Sequence, residues 1–205
     1  MNAPVHPVTP GLSVAPLGDA AAWDAYVAGH AGATPFHSRL WCEAVTKATG
    51  HKCHPLAAWD AAGAIVGLLP FHHIRSPLFG QALVASGFAV DGGLLADDDA
   101  AAIALADAAV ALAASLGVPS VELRGGLLPE GEGWRREEDV YAGFARDLAA
   151  DDEAELRAVP RKQRAEVRKA LDSDLTVTMG SDAAEHRDHY RIYATSVRNL
   201  GTPVF

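Results

Sequence analysis

Only two cysteines occur in the 205 residues, Cys42 and Cys53, too few for a disulfide scaffold and unremarkable in a reducing compartment. The first residues, Met1-Asn2-Ala3-Pro4-Val5-His6-Pro7, lack both a positively charged start and an apolar core of signal-peptide length. No apolar run reads as long enough to span a membrane; Ala100 to Ala114 comes nearest, but Asp107 interrupts it and Asp97, Asp98 and Asp99 precede it. The expectation is a cytoplasmic chain without membrane insertion. There is no G-x-S-x-G elbow and no Cys-His nucleophile arrangement, so covalent catalysis has little support. No internal repeat is visible. What is present is a 49% hydrophobic content, which excludes wholesale disorder, and a length beyond the usual single-domain mode.

The chain is acidic, with a formal charge of −9. Arg157 to Lys169 holds six basic residues and one acid, a net of +5, which leaves −14 for the remainder. Such a reversal marks an anion site. On one helix, Arg161, Arg164 and Arg168 share a face, with Arg157 one position round. Four arginines to two lysines suit forked contacts with phosphates or carboxylates. A solvated helix face paired with nearby carboxylates is the competing reading of any such charge run. RNA or DNA is disfavoured by the acidic remainder and by the few aromatics near the basic segment.

Along the chain, a loose Pro-rich tail (residues 1–11) precedes a strand at Leu12 to Leu17. Asp19 caps a helix from Ala20 to Gly29, and a second helix, Arg39 to Thr49, stops at Gly50. His54 to Trp59 and Ala64 to Ile74 read as a hairpin joined by Asp60-Ala61-Ala62-Gly63. Pro77 to Gly93 carries no assignment. A helix from Asp98 to Leu116 ends at Gly117, and strands follow at Ser120 to Arg124 and Tyr141 to Leu148. Beyond the basic helix, Leu175 to Met179 alternates like a strand, and Asp182 to Asn199 reads as a helix. This order is that of an α+β sandwich.

Several constellations reduce to packing. Cys42, His51, Cys53 and His54 are zinc-ligand types, but adjacent residues of a strand point to opposite faces, so no metal site is assigned. His72 and His73 alternate in the same way, which leaves one of them free to face a cleft as a base. His186 and His189 share a helix face near Glu185 and Asp188 and read as solvated. Gly125-Gly126 is a weak loop signal. Trp41 beside Phe36 reads as a helix-start staple and core aromatic, and Trp59 as a core anchor.

The segments Arg164-Ala165-Glu166-Val167-Arg168-Lys169-Ala170 and Thr195-Ser196-Val197-Arg198 resemble two motifs of the FemAB group of peptidyl and aminoacyl transferases, K-x-R-x-x-I-R-K-A before a strand and T-x-x-R on the next helix. The opening Pro160-Arg161-Lys162-Gln163-Arg164 and the closing Ser196 to Phe205 look most like the branch associated with exosortase (PEP-CTERM) and exopolysaccharide systems. Thr34 to Trp41 is similar to that family's first-domain entry, where loop and helix border the substrate groove. The resemblance implies a GNAT-like α/β sandwich with a mixed, largely antiparallel sheet (12–150), then the start of a second GNAT-like domain (151–205) that continues past Phe205. It implies transfer of an acyl group from acyl-CoA or aminoacyl-tRNA to an amine of an anionic cell-envelope or exopolysaccharide precursor. Arg161, Lys162, Arg164, Arg168, Thr195 and Arg198 are the substrate-binding candidates; no general base is named. In GNAT enzymes the pyrophosphate of coenzyme A sits at a Gly-rich helix start. The equivalent place here, Gly92 to Asp99, carries three aspartates that satisfy the helix dipole and repel phosphate, so the first domain is expected to bind no cofactor. With its domain incomplete, the last helix is expected to expose an apolar side or to self-associate. The alternative function is a noncatalytic module binding a sugar nucleotide or polysaccharide.

Overall fold

The computed structural model describes residues 11–129, 133–140 and 142–202. They divide into two units, Met1–Glu138 and Asp139–Phe205.

In the first unit, β1 (Ser13–Pro16) leads to α1 (Ala20–Gly29), whose first turn is capped by Asp19 accepting from the N–H groups of Ala21 and Ala22. A 3-10 turn, Pro35–His37, precedes α2 (Arg39–Thr49), which Ser38 caps and Gly50 ends at φ 76°. Only glycine adopts that backbone cheaply. β2 (Lys52–Trp59) and β3 (Ile65–Ser76) then form the expected antiparallel hairpin. Its turn is held by Asp60 Oδ1, which accepts from the N–H groups of Ala62 and Ala64. β3 pairs along its second half with β4 (Gly80–Ala85) and near its start with the short β5 (Leu95–Ala96). Next, α3 (Asp99–Leu116) crosses over to β6 (Val121–Glu122), which lies parallel to β4. The sheet order is β1-β2-β3-β4-β6 with β5 beside β3. This is the α+β sandwich expected, its sheet mixed and largely antiparallel.

Strand alternation separates two cores. On one face Leu56, Leu69, Phe71, Leu83 and Ala85 pack with Leu105, Ala106, Ala109 and Ala113 of α3. On the other, Ala57 and Leu68 meet Trp23 of α1 and Cys42 of α2. Alanines let α3 lie close to the sheet, and Gly67 opens room for it: a Cβ there would come within 2.7 Å of Leu105 Cδ1. Truncating the wholly buried Leu105 to Ala is therefore expected to cost about 2–5 kcal/mol. One expectation changes at this point. By length and composition α3 is long and apolar enough to cross a membrane, but five of its residues, Ala101, Leu105, Ala106, Ala109 and Ala113, are buried in the unit.

The second unit contains α4 (Asp152–Ala158), α5 (Arg161–Leu171) and α6 (Ala183–Asn199). None has a buried residue. Asp151 caps α4, and Asp182 with Glu185 forms a capping box on α6. Two predicted strands do not form: residues 142–148 and Leu175 to Met179 are irregular. A strand needs a neighbour for its N–H and C=O groups, and among the described residues neither segment has one. Tyr141 lies outside the described residues, as do residues 1–10 and the Val204-Phe205 end. A further correction concerns the basic face. Val159 and Pro160 interrupt the helix, because proline disfavours helical backbone in the residue before it, so Arg157 lies in the last turn of α4 and is not continuous with α5. The boundary at 138/139 precedes the expected 150/151, consistent with the irregular course of 142–149.

Candidate functional site

In an open sheet, the carboxyl ends of neighbouring parallel strands are where connecting loops diverge and ligands are received. Here those ends are Ala85 of β4 and the residues after Glu122 of β6. The segment Ser86 to Gly93 crosses this end of the sheet. Ser86 and Phe88 have φ of 44° and 65°, a region that costs non-glycine residues energy and persists only where surrounding contacts hold it.

Those contacts come largely from the 3-10 turn and α2. Ser86 Oγ donates to the Phe36 carbonyl at 2.6 Å, and Thr34 Oγ1 donates to the Asp91 carbonyl at 2.7 Å. Trp41 Nε1 donates to the Gly87 carbonyl at 3.3 Å, while its ring meets Phe36 edge-on at 4.9 Å. His37 is buried. Its Nδ1 accepts from the Thr34 N–H at 3.0 Å, which leaves the proton on Nε2 to donate to the Gly93 carbonyl at 3.1 Å. Trp23 Nε1 donates to the carbonyl of His37 at 2.8 Å. Beyond it, backbone packs on backbone: a Cβ on Gly93 would fall 1.9 Å from the Gly125 carbonyl oxygen, and one on Gly126 2.5 Å from the Leu94 carbonyl oxygen. Gly125-Gly126, a weak signal in the sequence, is thus the close-approach surface for the strap. Arg124 adds a contact from Nη1 to the Ala89 carbonyl.

The histidines here serve as scaffold. Burial, the leading influence, lowers the pKa of His37 and of His72. His72 Nδ1 accepts from the Gly87 N–H at 3.0 Å, and Nε2 faces the Cys42 carbonyl at 3.4 Å. With both nitrogens engaged, neither ring is free to take a substrate proton. His73, on the opposite face, has Nε2 at 3.0 Å from Gln81 Oε1. The alternation argument therefore separates the pair correctly, and the buried member is the one without a free nitrogen.

At the start of α3 the acids are committed. Asp98 accepts from the Ala101 N–H at 2.8 Å, and Asp97 accepts from the Tyr26 hydroxyl at 2.9 Å with His30 Nε2 3.8 Å away. Burial, followed by the bond to Asp97, raises the Tyr26 pKa well above the ordinary phenol value. This helix end is negative and already capped.

The basic residues of the second unit differ from one another. Arg164 is turned inward along the chain: Nη2 donates to the carbonyls of Arg157 and Val159 at 2.7 and 2.9 Å, and Nε to Val159 at 3.2 Å. It satisfies carbonyls at the end of α4 that the break at Pro160 leaves without helical partners. Arg157 pairs with Glu153 at 2.5 Å. Arg161, Lys162 and Arg168 are exposed on α5 and, among the described residues, make no ion pair. On α6 Thr195 Oγ1 donates back to the Arg191 carbonyl at 2.8 Å, and Arg198 is exposed in the last turn. The structure thus aligns Arg161 and Arg168 along one helix and spends Arg164 on the backbone. No sequence signal distinguished Arg164 from its neighbours, since its role depends on the interruption at Pro160.

No protein-family model matches the chain, and no curated protein matches it. Among the solved structures that match, two are similar to about two-thirds of it. One is a GNAT family acetyltransferase from Staphylococcus aureus subsp. aureus USA300_TCH1516, at 12% identity and a TM-score of 0.42, covering 67% of this chain and 99% of that one. The other is a ribosomal-protein-alanine N-acetyltransferase from Brucella melitensis biovar Abortus 2308, at 20% identity and a TM-score of 0.45, covering 66% and 99%.

Proposed function

We infer that this chain is a FemAB-like acyltransferase of the cytoplasm, in which a GNAT-like first domain is followed by the opening of a second. The reaction is attack of an amine, on an anionic cell-envelope or exopolysaccharide precursor, at the carbonyl carbon of an acyl ester or thioester. A C–N bond forms, the C–O or C–S bond breaks, and the amine proton leaves to a base. The observation that carries this reading is the α3 crossover, which sets β4 parallel to β6 in an otherwise antiparallel sheet and brings the Ser86 to Gly93 strap and Gly125-Gly126 to one end of both strands. Catalysis there consists of positioning, proton removal and stabilisation of the oxyanion.

The capped, acidic start of α3 argues that the donor's phosphates are held elsewhere than at that helix end. Arg161, Lys162 and Arg168 have the exposure and charge to receive the precursor, and Thr195 and Arg198 complete the motif resemblance. A noncatalytic anion-binding module for a sugar nucleotide or polysaccharide is the second reading. It is favoured by the engagement of both nitrogens of His37 and His72, which removes two obvious bases.

The test is to offer the protein a nucleotide-linked amino-sugar precursor with either acyl-CoA or charged tRNA, and to look for the amide product by mass spectrometry. Its formation with either donor supports the transferase. Precursor binding without product from both donors assigns the binding module instead.

A further inference from the structure

A side-chain cluster remains that neither reading uses. Cys53 of β2 lies directly opposite His72 of β3 in the strand register, so the two share the sheet face that α2 covers. Cys42 is the α2 residue above them. The two sulfurs and one His72 nitrogen all lie within 4.8 Å of one another, and neither cysteine is in a disulfide. Cys42 is buried and Cys53 half-buried. Both border a cavity of about 500 Å³ whose wall includes Lys47, Lys52 and Thr46. Thr46 Oγ1 is itself buried, with no hydrogen-bond partner among the described residues. The cavity gives the thiols a route to solutes.

The hydrogen bonds of His72 decide the chemistry of the cluster. An imidazole that ligates a metal offers one bare nitrogen and donates from the other. In His72 the bare nitrogen, Nδ1, is taken by the Gly87 N–H, so the remaining Nε2 carries the proton. Recruiting Nε2 as a ligand would leave the buried Gly87 N–H without its acceptor. His72 is therefore a donor beside the sulfurs, and the ligand set is two thiols. Zinc prefers four nitrogen or sulfur ligands in a tetrahedron. A soft monovalent ion is content with fewer, and thiolate ligands select it. Zinc–sulfur bonds are about 2.3 Å long, and two sulfurs within 4.8 Å of each other are close enough for one ion of similar bond length to bridge.

We propose that Cys42 and Cys53 form a two-coordinate dithiolate site for a thiophilic monovalent cation, Cu⁺ or its analogue Ag⁺, with His72 Nε2–H positioning Cys42 through its carbonyl at 3.4 Å. Each thiol gives its proton to solvent and each sulfur forms one bond to the metal. No oxidation state changes. The resulting unit carries one negative charge, which faces Lys47 and Lys52 on a cavity wall where Arg39 pairs with the one acid, Glu43. The reading stands apart from acyl transfer and survives if that function fails.

The test uses the full chain, anaerobic and free of added thiols, titrated with Ag⁺ and separately with Cu⁺ supplied from a chelator of known affinity. Native mass spectrometry should show one cation per chain, and the unfolding temperature should rise with its concentration. Cys53→Ser should weaken binding at least tenfold, as should Cys42→Ser if it folds; Cys53 is half-buried, so its variant keeps the test open. His72→Phe should weaken Ag⁺ binding severalfold without abolishing it. Ag⁺ affinity unchanged in Cys53→Ser overturns the site. Zn²⁺ bound more tightly than Ag⁺, and lost entirely in His72→Phe, overturns the two-coordinate assignment.

Discussion

His37, His54 and His72 titrate in one direction. Burial is the first cause in each, and it lowers their pKa values by disfavouring the charged ring. A histidine with a folded pKa below its unfolded value of about 6.5 contributes stability that is present above about pH 6.5 and is lost as pH falls through the folded value. The urea midpoint of the first unit should thus drop between pH 7.5 and 5, and midpoints that stay flat across this window would detach these rings from folding. His37→Phe removes an acceptor and a donor at once, which should cost about 1–3 kcal/mol and reduce part of that slope. Glycine gives a second prediction at this scale. Gly93→Ala drives a methyl into the Gly125 carbonyl and should destabilise by more than about 2 kcal/mol. Gly18→Ala meets nothing within 4 Å and should be nearly neutral, so comparable midpoints for the two variants in chemical denaturation would count against the strap's backbone packing.

Among the elements, α5 contains arginines of two kinds. Arg161→Gln together with Arg168→Gln should weaken binding of a phosphorylated envelope precursor, by a margin that shrinks as salt rises, with stability changed by less than about 0.5 kcal/mol. Arg164→Gln instead should reduce helicity in α4, because it uncaps carbonyls there. Calorimetric titration at two salt concentrations, paired with circular dichroism, separates these outcomes; equal effects of Arg164 and Arg168 on both readings would refute the division. Elements with chemical punctuation were legible in the sequence. Asp19, Gly50, Gly117 and Asp182 stand at helix ends as their side chains or their lack of one require. β4 was not legible, since Gly80-Gln81-Ala82-Leu83-Val84-Ala85 is short and bounded by glycine, and its strand character comes from β3 beside it. The same cause works in reverse for 142–148 and Leu175 to Met179, which have strand-like patterns and, among the described residues, no neighbour. The meeting of Cys42, Cys53 and His72 depends on cross-strand register and on where α2 rests, information that no local spacing contains.

On the scale of the whole molecule, the two units differ in what protects their amides. The first has a sheet with apolar layers on both faces, whereas the helices of the second bury none of their residues, leaving Ile192, Tyr190 and Leu171 exposed. Hydrogen exchange should find 142–202 opening far more readily than β2, β3 and α3. Uniformly high protection would show that the second unit has a core of its own. α3 has a consequence for the order of synthesis. Most of its buried face rests on strands made before it, β1 through β5, and only the short β6 follows it. An emerging apolar helix of eighteen residues is the kind of segment that targeting factors and chaperones seize at the ribosome exit. Here most of its resting place has been synthesised before it appears, so docking competes with capture from the first moment, and a chain translated with β2 and β3 scrambled would leave α3 without that place.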